Sequence, residues 1–82
     1  MSVLENILLM NPDVELLKAD GFDKCVIGID NDYRLVYSIE DCMMVLMERD
    51  GMDGDEAMEF IQFNVIGSYV GEMTPIFIYN KF

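Results

Sequence analysis

The residues able to do chemistry in this chain are almost all carboxylates. Glu48, Asp50, Asp53, Asp55, Glu56 and Glu59 crowd around Gly51 and Gly54, a density that invites a calcium site. An EF-hand loop needs oxygen ligands at its first, third and fifth positions, glycine at the sixth and glutamate at the twelfth. Neither the window 50–61 nor the window 53–64 supplies that set. The acids read instead as caps and first-turn residues of two helices, where a carboxylate is favoured by the helix dipole. Asp30-Asn31-Asp32 has the composition of a hairpin turn, whose short polar side chains bond the neighbouring backbone. A metal there would need a third carboxylate from elsewhere.

Other chemistries lack their parts. The chain has no His, and Cys25 and Cys42 are far apart with no CxxC pair, which removes zinc coordination and an imidazole-activated nucleophile. No GxSxG elbow is present. Gly67 to Gly71 looks like a phosphate loop only superficially, because Walker A requires GxxxxGK[ST] and the residue after Gly71 is Glu72, which repels phosphate. Paired carboxylates could hydrolyse a glycoside, but no pattern positions two of them. The expectation is a protein without catalytic residues, metal or cofactor.

Sixteen Asp and Glu against five Lys and Arg give a formal net charge of −11. Such a field repels nucleic-acid backbones and anionic membranes and draws the protein toward a basic partner. Eighty-two residues, 52% of them apolar, suffice for one core, since a chain this short buries about 60–65% of its unfolded surface. The segment MSVLENILLMNP carries Glu5 and lacks a basic flank and cleavage site, so it does not read as a signal peptide. The thiols are expected to be reduced in an intracellular protein.

The elements that must position the acids follow from caps and period. Ser2 with Glu5 forms a capping-box pattern ahead of Val3, Leu4, Ile7 and Leu8, and Asn11-Pro12 suggests a second helix ending near Asp20 before Gly21. Alternation then predicts a hairpin over 24–38. Ser38 with Asp41, and Asp53 with Glu56, open helices over 39–50 and 54–66. Their inner faces would be Ile39, Cys42, Met43 and Leu46, then Ala57, Phe60, Ile61 and Val65. Pro75 opens a strand over 75–79. The predicted fold is one α+β domain, a three-stranded antiparallel sheet with about four short helices packed on it. Because Val26, Val36, Phe77 and Tyr79 alternate with the helix-covered positions, a second apolar sheet face should be covered by a second copy or by the N-terminal helices.

Eight methionines are many for this length. Met44 and Met47 cannot both share the inner face with Met43 and Leu46, so at least one should stand exposed beside the acids, an adaptable apolar strip rimmed by carboxylates.

The stretches GFDKCVIGID, RLVYS and MVLMERDGMDGDEAMEFIQFNVIGSYVGEMTPIF resemble a family of small tailed-bacteriophage proteins, cyanophage members included, with an FNxxG(S/A)YVGExTP motif. The resemblance covers roughly residues 21–78 and implies a viral protein working in the host-cell cytoplasm; it brings no activity. Within the motif, Asn64, Gly67, Tyr69, Gly71, Thr74 and Pro75 read as a structural corner: glycines for unusual dihedrals, Asn64 bonding the loop, Tyr69 plugging the core, Pro75 fixing strand entry.

The functional expectation is a small acidic binding protein that occupies a basic surface on a host nucleic-acid-binding protein, through Glu48, Asp50, Asp53, Asp55, Glu56, Glu59, Met44 and Met47. The alternative is a structural or assembly accessory that works as a homodimer, its acidity serving solubility.

Overall fold

The computed structural model describes residues 2–67, 71 and 73–82. The first helix, α1 (Val3–Met10), starts where Ser2 Oγ accepts the Glu5 N–H at 3.1 Å and donates to the Glu5 carboxylate at 3.3 Å. Leu4 and Ile7 are its buried residues. It ends at Asn11, whose backbone N–H and side-chain Nδ2 both donate to the Ile7 carbonyl.

Asn11 is thus used to close one helix and does not open another. The helix expected over residues 12–20 is absent, and this stretch runs as turn and irregular chain. So short a helix is marginal on its own, and here a tertiary bond competes: the Ala19 N–H donates to Tyr37 Oη at 2.8 Å in the interior. The described residues therefore hold three α-helices, not four.

A single 3-10 turn, Asp23–Cys25, leads into β1 (Val26–Ile29), which pairs antiparallel with β2 (Leu35–Ser38). The acidic turn between them works through its side chain: Asp30 Oδ1 accepts the Asp32 and Arg34 N–H groups at 3.0 and 2.8 Å. Tyr33 sits there at φ 62°, a left-handed position whose cost for a side-chain-bearing residue is about 1–2 kcal/mol. The hairpin holds it in place.

Ser38 Oγ accepts the Asp41 N–H and starts α2 (Ile39–Asp50), and Gly51 ends it at φ 70°. Asp53 accepts the Glu56 N–H at 2.8 Å and starts α3 (Gly54–Phe60). The chain then widens into a π-helical turn, Ile61–Ile66. Gly67 closes it with an ordinary φ of −71°; its lack of a side chain matters because a Cβ would lie 3.2 Å from the Gln62 carbonyl oxygen and 3.3 Å from that of Phe63.

The last strand, β3 (Ile76–Ile78), pairs with β2 in parallel. The sheet is mixed, in the order β1-β2-β3, and not the antiparallel sheet expected. Parallel neighbours need a long crossover, and α2 with α3 supplies it. A register irregularity between Val26 and Gly28 also moves the strand faces. Val26 pairs with Tyr37, and Phe77 stacks on Tyr37 with ring centroids 5.2 Å apart, so Val26 and Phe77 belong with the core and not with the outer face assigned to them by simple alternation. The outer face carries Val36 and Ile76, half-buried, and Ile78, exposed.

One core joins Leu4 and Ile7 of α1, Ala19, Phe22, Val26, Leu35 and Tyr37 with Cys42, Val45, Leu46, Ala57, Ile61 and Val65. Among the described residues no buried side-chain nitrogen or oxygen lacks a partner, and no helix is long and apolar enough to cross a membrane.

The chain after β3 is tied down by one carboxylate. Glu40 accepts the Asn80 and Lys81 N–H groups, both at 3.0 Å, while Ser38 Oγ bonds Asn80 Oδ1 at 2.6 Å. Desolvation opposes ionisation of Glu40, but these amide bonds outweigh it and hold the carboxyl below its ordinary range. A folded-state pKa below the unfolded one gives stability that is present above the unfolded value and lost as pH falls through the folded value. On acidification below the usual carboxylate range, the amide protons of Asn80 and Lys81 should therefore shift together, as NMR would show. In Glu40→Gln that shared step should vanish; an unaltered step would mean another group holds the tail.

Candidate functional site

The acidic corner lies where α2 ends and α3 begins, and its residues do not act as one set. Asp50 is committed within the chain. Arg49 Nε and Nη2 donate to its two carboxylate oxygens at 3.1 and 3.0 Å, and hydrogen bonding to that guanidinium lowers the carboxyl below its usual range. Arg49 also donates through Nη1 to the Gly21 carbonyl and lies 5.7 Å from the centroid of the Phe22 ring. This clamp fastens α2 to the chain before β1. Asp53 is likewise engaged as the cap of α3.

Glu48, Asp55, Glu56 and Glu59 are exposed. Three of the five cations pair with other acids: the ion pairs seen among the described residues join Arg34 to Asp30, Arg49 to Asp50 and Lys81 to Asp41. Met44 and Met47 both stand exposed on α2, at 51% and 39%.

The structure sorts these residues into two places. Met44 and Glu48 line a hollow of about 290 Å³ with Lys24, Cys25, Asp41 and Val45. Glu56 and Glu59 line a separate groove of about 400 Å³ with Met52, Phe60, Phe63 and Asn64. Phe63, 74% exposed, is a groove residue outside the set expected from the sequence, where it belongs to the FNxxG motif. Its signal was present in the spacing: Glu56, Glu59, Phe60 and Phe63 fall at i, i+3, i+4 and i+7, one stripe of a helix.

The motif corner is shared between structure and surface. Thr74 Oγ1 donates to the Gly71 carbonyl at 2.8 Å, Gly71 takes φ 120°, and Pro75 is buried. Asn64 is exposed and faces the groove. Tyr69 lies outside the described residues.

Both thiols are fully buried, in contact between the 3-10 turn and α2. The bond with Cys25 and burial push the Cys42 thiol far up, while the same bond holds Cys25 down. They read as core residues: each is fully buried against the other, and burial opposes the thiolate that a nucleophile would need. Among the described residues no three acids or thiols converge as a metal cage would require. Comparisons with protein families, with curated proteins and with solved structures find no match to this chain.

Proposed function

We propose that the protein is a binding module whose α2–α3 corner occupies a basic surface on a partner protein. One observation carries this: Glu48 stands exposed beside exposed Met44, Glu56 and Glu59 stand exposed beside exposed Phe63, and Asp55 is exposed at the start of α3, while the cations of the ion pairs seen lie against Asp30, Asp41 and Asp50. A net charge of −11 extends the attraction beyond contact and sets the rate of encounter. An acidic surface of this kind suits a host nucleic-acid-binding protein, approached at the site its nucleic acid uses.

Salt is the test. Bacterial nucleic-acid-binding proteins should be retained on the immobilised protein at low ionic strength, released as salt rises, and displaced by duplex DNA. A second reading, a homodimeric accessory, is favoured by Leu9 and Met10, exposed at 66% and 82% on α1. It expects a salt-insensitive dimer in sedimentation and no DNA-displaceable partner; that pair of results would remove the first reading.

A further inference from the structure

We infer that the groove between α3 and the π-helical turn receives an arginine side chain from the partner. The inference rests on the binding-module reading above and narrows it to one chemical group. The groove is lined by apolar Met52, Phe60 and Phe63 and by two carboxylates, Glu56 and Glu59. A guanidinium is planar, stacks on an aromatic face and pairs bidentately with a carboxylate. Its methylene stem covers apolar surface while the head stays with the acids. A lysine shares the apolar stem, but its ammonium lacks the planar stacking face and the bidentate fork.

The same molecule already makes this arrangement once. Arg49 lies over the Phe22 ring at 5.7 Å and forks onto Asp50 while bonding the Gly21 carbonyl. The α3 groove offers the matching parts, an aromatic and carboxylates, and no Lys or Arg lines it. A second copy is a poor source of the missing cation. The chain has two arginines; Arg49 is held in its clamp, and Arg34 is paired with Asp30 at 3.3 Å. The occupant is therefore a basic segment of a different protein.

The test uses fluorescence anisotropy with a labelled oligoarginine peptide and an oligolysine peptide of equal length. The arginine peptide should bind about tenfold more tightly, the worth of one desolvated stacking and bidentate contact. Phe63→Ala should erase that preference, and so should Glu56→Gln with Glu59→Gln, while Asp55→Asn outside the groove should preserve it. Phe63 is exposed, so its replacement leaves the fold intact. Equal affinity for the two peptides, unmoved by Phe63→Ala, overturns the arginine groove and leaves salt-sensitive acidic binding standing. Binding of neither peptide at low salt overturns both.

Discussion

Tyr37→Phe is expected to lower the unfolding free energy by about 1–3 kcal/mol, the cost of leaving a buried donor without its acceptor. The donor is the Ala19 N–H, which reaches Tyr37 Oη at 2.8 Å in the interior. Tyr37 is fully buried, paired with Val26 and stacked on Phe77, so its ring joins all three strands while its hydroxyl pins the irregular stretch between α1 and β1. Tyr37→Ala removes both, at about 3–5 kcal/mol. A domain of this size has about 4–12 kcal/mol in total, so the alanine variant should be largely unfolded. The chain has no Trp, so urea unfolding followed by far-UV circular dichroism gives the measurement. An unchanged midpoint for Tyr37→Phe would mean that the Ala19 bond contributes nothing net.

That bond also shows why the sequence was legible in some places and not in others. Ser2, Ser38 and Asp53 each accept the N–H three residues on, because capping depends on neighbours that the sequence itself supplies. Cys42, Leu46, Ala57, Ile61 and Val65 are buried as helical spacing requires, since one face of a helix must meet whatever core exists. The stretch 12–20 carries equally good local signals and is not helical. Its conformation is decided by Tyr37, eighteen residues from Ala19, and no local rule contains that partner.

Strand direction failed for a related reason. Ile76–Ile78 alternates equally well in either orientation, and only the path of α2 and α3 brings it back parallel to β2. The length of that connection was the available clue, because a parallel crossover needs a dozen or more residues. For the acidic corner, composition located the charge correctly around the helix junction but could not separate its roles. Arg49 adjoins Glu48 and Asp50 alike in the sequence, and what sets the two acids apart is the fork of its guanidinium onto Asp50 while Nη1 holds the Gly21 carbonyl. Phe63 shares the helical stripe of Glu56, Glu59 and Phe60, which places it beside the acids, while the widening of the helix after Phe60 is a feature that nothing in the hydrophobic pattern announces.

This division of roles decides which charges a test of binding should reverse. Asp53→Ala removes the cap of α3 and should cost about 1 kcal/mol of stability, so a weakened complex in that variant would be ambiguous. Glu48, Asp55 and Glu59 are exposed, and none of them caps a helix. Their reversal together, Glu48→Lys, Asp55→Lys and Glu59→Lys, should leave the protein folded, because relief of the self-repulsion of a chain at −11 offsets the loss of Asp55 from the first turn of α3. Affinity for a basic partner at low salt should fall roughly a hundredfold, since each site changes from attraction to repulsion. The loss should shrink as salt rises, because screening weakens the original attraction and the new repulsion alike. A folded triple variant that binds with full affinity would leave the carboxylates as agents of solubility and pass the weight of recognition to the apolar residues beside them.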